Sequence, residues 1–168
     1  MRLLTIGTVA FDNIETPFGK ADGIVGGAAT FIAHSASKFG TKVNLCAVIG
    51  EDFPQSEIDA LVAAGVDIDG LETVKGGKSF SWTGKYHLDM NTRDTLATDL
   101  NVLADFNPTL PEHYRDSEYV MLGNLTPTVQ LSVLNQLDSP KFVAMDTMNY
   151  WIEIALDDLK KEIGRAHV

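Results

Sequence analysis

The sequence predicts an α/β protein built on an open, doubly wound (Rossmann-like) parallel sheet, and three observations predict it. Short, branched apolar runs recur along the chain, each closed by glycine or polar residues. Segments of helical period stand between them, so strand, helix and strand follow one another as parallel crossover units. One stretch, 78–100, instead alternates large and polar residues with period two and marks a second, two-faced sheet.

LLTIGTV (3–9) reads as the first buried strand. Gly26-Gly27 then opens the helical run GGAATFIAHSASKFG (26–40), in which Ala29, Ile32, Ala33 and Ala36 share one face and Gly40 supplies the stop. KVNLCAVIG (42–50) is the next strand. Ile58, Leu61 and Val62 mark a helix over 54–64, with Gly65 after it and DGLETV (69–74) following as a strand. YVMLGN (119–124) is another strand, Thr126 caps and Pro127 opens a helix running through 137, and KFVAMD (141–146) returns as a strand. In 78–100, Phe80, Trp82, Gly84, Tyr86 and Leu88 alternate with Ser79, Ser81, Thr83, Lys85 and His87, and DTLATDL (94–100) is the return strand. The large face needs a cover, so this stretch is read as an antiparallel insertion serving as a lid.

With 168 residues, 45% of them apolar, the chain has the length of one ordinary domain. No apolar run approaches the ~20 residues of a membrane span, and 1–9 lacks the pattern of a signal peptide, so a cytoplasmic location is expected. The single cysteine, Cys46, lies in an apolar strand and is read as buried rather than catalytic. A net charge of -10, spread along the chain, argues against nucleic acid or an anionic membrane as partner.

Gly26-Gly27 is the leading site feature. A glycine pair at a helix start lets backbone approach a ligand, and the first-turn N–H groups are expected to be free donors for hydroxyls or anions. Asp12 directly follows the first strand and falls at its carboxyl end, beside the loop that would face Gly26-Gly27, on the edge where doubly wound sheets bind ligands. Its carboxylate suits two adjacent sugar hydroxyls, and capping of a turn is the alternative. Asp146 and Asn149 occupy similar strand-end positions with the same ambiguity. GGKS (76–79) imitates the end of a P-loop, but Glu72 stands where its first glycine belongs and a strand follows the lysine, so it is read as a turn. Asn124-Leu125-Thr126 is read as an unused glycosylation acceptor. His34 falls on a solvated helix face with Lys38, His87 lies on the lid, and His113 and His167 have no ligand-type neighbours in sequence. No metal site is therefore expected, nor a nucleophile elbow.

At this point the chain resembles the N-terminal half of a ribokinase-like, PfkB-type carbohydrate or nucleoside kinase. The resemblance runs from IGTVAFDNIETPFG through GGAATFIAHSASKFG, the VIGEDF segment and FSWTGKYHLDMNTRDTL to YVMLGNLTP and VAMDTMNYW. It implies a ribokinase-type sheet, truncated, in residues 1–162, with lid segments at about 11–24 and 78–101. It also implies that Asp12, Gly26 and Gly27 hold substrate hydroxyls, with Asn124 as a further polar contact. Two family asparagines are missing, one where Ala10 stands and one near Thr30 or Phe31, which leaves a sugar or a nucleoside open as substrate.

The family's GAGD motif, which carries the catalytic base and the anion hole, has no counterpart in the sequence. The resemblance therefore implies the substrate-and-lid half of an ATP-dependent sugar kinase, with ATP and Mg2+ in the intact enzyme. No catalytic residue and no tightly bound cofactor are expected in this piece, and a homodimer through the lid is a family expectation. A nucleoside kinase half and a catalytically silent sugar-binding module are the alternatives. A dinucleotide-dependent oxidoreductase is disfavoured because GTVAFD lacks the G-x-G-x-x-G fingerprint. IGRAHV (163–168) leaves the helical pattern and matches the translation of ATC GGA AGA GCA CAC GTC, a sequencing-adapter stretch, so it is read as a non-native tail.

Overall fold

The structure is a computed structural model that describes residues 1–166. In chain order its elements are β1 (Arg2–Ile6), β2 (Ala10–Thr16), β3 (Gly19–Gly26), α1 (Ala28–Ser37), β4 (Lys42–Gly50), α2 (Gln55–Ala63), β5 (Val66–Val74), β6 (Phe80–Tyr86), β7 (Arg93–Asp99), β8 (Tyr119–Leu122), α3 (Pro127–Leu134), β9 (Phe142–Met145), α4 (Asn149–Ile154) and α5 (Leu156–Ile163). Two 3-10 turns, Asn101–Asp105 and Glu112–Tyr114, lie between β7 and β8.

Five strands form a parallel sheet in the order β5-β4-β1-β8-β9. The chain moves outward from β1 through β4 to β5, then crosses back to β8 and β9 on the other side of β1. That reversal makes the carboxyl ends of β1 and β8 the topological switch point, the place where doubly wound sheets bind ligands. Both faces of the sheet are covered, which is why β4 reads as a continuous apolar run. Val43, Leu45, Ala47 and Ile49 pack under Ala29 and Ala33 of α1 and Leu61 of α2. Cys46 and Val48 point the other way, toward Phe106, Leu110, Tyr114 and the α3 residues Val133 and Leu134. Burial, with a smaller effect from Glu72, pushes the Cys46 thiol up to about 12, so it is inert packing.

The second sheet has the order β3-β2-β6-β7. Its outer pairs, β2 with β3 and β6 with β7, are antiparallel as expected, but the central pair β2 and β6 is parallel. The reason is topological: β2 continues from β1 and β6 from β5, so both leave the same edge of a parallel sheet in the same direction. Gly84 fits the crowding there, because the Trp82 ring occupies the space of a Cβ.

Other boundaries shift for local reasons. The first strand ends at Ile6 rather than at 9, since the backbone at Gly7 presses on Ala29 and the chain turns away. β5 begins at Val66, ahead of DGLETV, and carries a bulge where the register passes from Asn44↔Asp67 to Cys46↔Gly70. Leu61 is buried on α2 while Val62 is 50% exposed, so Val62 is off the core face. Leu88 lies in the turn beyond β6, exposed, and α3 stops at Leu134. Thr126 holds the N-cap position without a side-chain bond, leaving Pro127 as the helix-start signal.

Glu162 of α5 is fully buried, and among the described residues neither carboxylate oxygen has a partner. Burial pushes its pKa from 4.5 up to about 7. The folded value lies above the unfolded one, so the stability it confers is full below 4.5 and is lost as pH rises through about 7. Glu162→Gln should therefore be more stable than the parent at pH 8, by about 1–3 kcal/mol, with the gap closing near pH 5. Urea denaturation at the two pH values measures this.

Candidate functional site

The site lies over the junction of β1 and β8. Gly123 donates its N–H to the Ile6 carbonyl at 2.7 Å, and a Cβ on Gly123 would stand 3.1 Å from the Ala28 Cβ. The start of α1 is thereby seated at the point where the strand order reverses.

Gly26 ends β3 and Gly27 is the N-cap of α1, with φ 97°. That backbone angle favours glycine, and the Thr8 carbonyl fills the space a Gly27 Cβ would need. At Gly26 the occupant is the Asp12 carboxylate itself. The structure thus brings Asp12, Gly26 and Gly27 together as the sequence suggests.

It adds one detail and corrects another. Asp12 is itself on a strand: it sits in β2, opposite Ile24 and Trp82. The first-turn donors of α1 are not all free, since Ala28 N–H donates to Thr8 Oγ1 and Ala29 N–H to the Thr8 carbonyl, both at 3.0 Å. Thr8 is a residue the sequence reading missed, because only the folded crossover sets it level with a helix start twenty residues on.

Asp12 is half-buried, and burial raises its pKa above the ordinary value. Among the described residues no hydrogen-bond donor reaches its carboxylate, so it caps no turn. A half-buried carboxylate with no protein donor retains its capacity to accept hydrogen bonds.

Asn124 follows β8 on the same edge, but its amide is engaged. Trp151 Nε1 donates to Asn124 Oδ1 at 2.8 Å, and Asn124 Nδ2 points at Met148 Sδ at 3.2 Å. Gln130, unnoticed in the sequence, is fully buried and its Nε2 donates to the carbonyls of Leu122, Gly123 and Asp146, tying the ends of β8 and β9. Asp146 itself is exposed, and Asn149 only begins α4.

GGKS is a turn before a strand. Gly76 N–H donates to Glu51 Oε2 at 3.0 Å and Gly77 N–H to the Val74 carbonyl at 3.1 Å, so these amides are consumed within the protein. They do not fit a triphosphate.

The histidines differ from expectation in one place. His113 Nε2 lies 3.3 Å from Asp67 Oδ2 and 3.6 Å from Asp69 Oδ2, partners distant in sequence that the β5 bulge and the second 3-10 turn bring together. Burial acts to raise the Asp67 pKa, but bonds from the Tyr114 hydroxyl, the Asp69 N–H and His113 outweigh it and hold the group below its ordinary value. This hydrogen-bonded group could offer metal ligands. It lies near the start of β4, at the opposite end of the sheet from Asp12. His87 pairs with Asp94 at 2.8 Å on the second sheet, and His34 is half-buried on α1. His167 and the end of the expected tail fall outside the described residues.

No protein-family model matches the chain. Over 162 residues it is 32% identical to the cytidine kinase of Thermococcus kodakarensis, a match covering 96% of this chain and 57% of that protein. The nucleoside kinase of Methanocaldococcus jannaschii, described as an archaeal member of the ribokinase family, matches with a TM-score of 0.77 at 17% identity, over 99% of this chain and 58% of that one. The Burkholderia thailandensis nucleoside kinase in complex with inosine matches with a TM-score of 0.74 at 17% identity, over 98% of this chain and 58% of that one. The same kinase is also known in complex with ADP-inosine.

A doubly wound sheet carrying a separate small sheet beside a glycine-pair helix start is the ribokinase-type fold. The chain has that fold and is similar to the cytidine and nucleoside kinases named above, and it spans somewhat more than half the length of the relatives it matches.

The two glycines should respond differently to an added methyl. Gly27→Ala meets both a positive φ and the Thr8 carbonyl, and should destabilise the fold by about 1–3 kcal/mol or more. Gly26→Ala should push the Asp12 carboxylate aside and lower stability less. Paired urea titrations check the order.

Proposed function

We propose that this chain is the substrate-and-lid part of an ATP-dependent nucleoside or sugar kinase, holding a ribosyl group through Asp12 above Gly26 and Gly27. The observation that carries the reading is the Asp12 carboxylate: half-buried, without a protein donor, and in contact with a glycine that leaves room for nothing else. Two adjacent ribose hydroxyls would supply the missing donors. A nucleoside is favoured over a free sugar because the relatives at hand are named cytidine and nucleoside kinases. Asn124 is a secondary contact, available once its Nδ2 leaves Met148. In this reading the second sheet is the lid over the ligand, and the protein works in the cytoplasm, which a single buried thiol suits.

The intact enzyme would transfer a phosphoryl group from Mg-ATP to a hydroxyl of the bound ligand. ATP would supply the electrophilic phosphorus. This chain's residues bind and orient the acceptor and shield it from water. The GGKS amides do not fit the triphosphate, and the sequence has no GAGD segment to deprotonate the hydroxyl.

Calorimetric titration with cytidine, inosine and ribose tests the site. Asp12→Asn should weaken binding by about 1.5–3 kcal/mol, roughly 10- to 150-fold. The same substitution should leave the empty protein as stable or more so at neutral pH. This follows because a raised pKa means that ionising Asp12 costs stability as pH rises through the folded value. Unchanged binding together with a lower melting point would point to a structural aspartate instead. Residues 1–168 alone are expected to give no ATP-dependent phosphorylation in a coupled assay; turnover that survives repurification would contradict the division of labour.

A further inference from the structure

We propose that the loop Glu51-Asp52-Phe53, between β4 and α2, is the positioning element that fixes the second sheet over the start of α1 at Gly27, with Asp52 as its key positioning residue. Three consecutive residues grip three different parts of that sheet's root. Glu51 holds the turn before β6: its Oε2 accepts the Gly76 N–H at 3.0 Å and its own N–H donates to the Gly77 carbonyl at 3.1 Å. Asp52 Oδ1 accepts both the N–H and the hydroxyl of Ser79, each at 2.8 Å. Phe53, 7% exposed, packs its ring against Phe11 of β2 with centroids 5.4 Å apart.

Ser79 is the knot. It is 1% exposed, and its hydroxyl also accepts the Gly50 N–H at 3.0 Å. Its carbonyl accepts Asn101 Nδ2 at 2.9 Å, while Val102 N–H donates to the neighbouring Lys78 carbonyl at 3.2 Å. The entry to β6 and the exit from β7 are therefore pinned at one point on the end of β4. Gly50 has no room for a Cβ against Gly77, Lys78 and Ser79, so the two backbones lie in contact.

The far end of the sheet is held differently. Every residue of β7 is exposed, and in the turn beyond β6 Asp89 bonds only to its near neighbours Asn91 and Thr92. A plate clamped at its root and free at its tip can swing only about the root. Phe11 adjoins Asp12 on β2, and β2 is in register with β6 from Ala10↔Phe80 onward. Since β3 is paired with β2, the clamp sets where the Asp12 carboxylate and the end of β3 stand relative to the start of α1 at Gly27. This inference rests on the reading of Asp12 as the ligand-binding group, but its structural half is measurable without ligand.

The test uses hydrogen exchange on the 168-residue chain beside nucleoside titration. Asp52→Ala should speed exchange in β2 and β6 by about tenfold or more while leaving β1 and β8 unchanged, and weaken cytidine or inosine binding by a similar factor. Asp52→Asn keeps the Oδ1 acceptor and should restore both. If Asp52→Ala fails to fold, Ser79→Ala, which removes only the hydroxyl bonds, should give the same local pattern. Unchanged exchange in β2 and β6, or an equal rise throughout the chain, would overturn the clamp. If exchange behaves as expected but Asp12→Asn leaves nucleoside binding intact, the clamp stands as a structural feature and the ligand reading fails instead.

Discussion

The structure around the site depends on two missing side chains. A Cβ at Gly26 would occupy the place of the Asp12 carboxylate, and a Cβ at Gly27 the place of the Thr8 carbonyl. Because both are absent, β3 can run directly into α1 while the segment after β1 passes underneath. Thr8 then caps α1 with its hydroxyl and its carbonyl, and the helix start is locked to the end of β1. The same contact seats Asp12 beside the helix start with no donor of its own. Steric permission at two positions thus fixes the crossover, the helix start and the carboxylate together.

This arrangement is costly when empty. A half-buried carboxylate without a partner favours its protonated form, and the raised pKa of Asp12 expresses that cost. Some surface carboxylates are paired: Glu15 bonds to Lys20 and Lys85, and Glu118 to Lys141. Such exposed pairs contribute little stability. Asp12, half-buried and without such a pair, stands at the place where the strand order reverses.

Much of this was legible in the sequence where periodicity and local chemistry decide the outcome. The apolar run KVNLCAVIG, the Ala29/Ala33 stripe and the Gly26-Gly27 pair each carry a physical requirement that any fold must satisfy, and each stands where it was read. What was not legible depends on distant partners. The strand carrying Asp12 is defined by pairing with residues 24 and 82, which no local window contains. Thr8 as the cap of α1 required the crossover to be closed first. The meeting of His113 with Asp67 and Asp69 required a bulge in β5 that the sequence does not signal, and the parallel pairing of β2 with β6 follows from the order of the main sheet alone.

The central claim is that the Asp12–Gly26–Gly27 corner is where a ribosyl ligand sits. Amide chemical shifts of the isotopically labelled chain, followed during addition of cytidine or inosine, test it most directly. The account predicts saturable shifts concentrated at residues 8–12 and 26–30, absent in the Asp12→Asn variant, with the amides of β5 near Asp67 unmoved. Saturable shifts centred elsewhere, or the same shifts in Asp12→Asn, would contradict it.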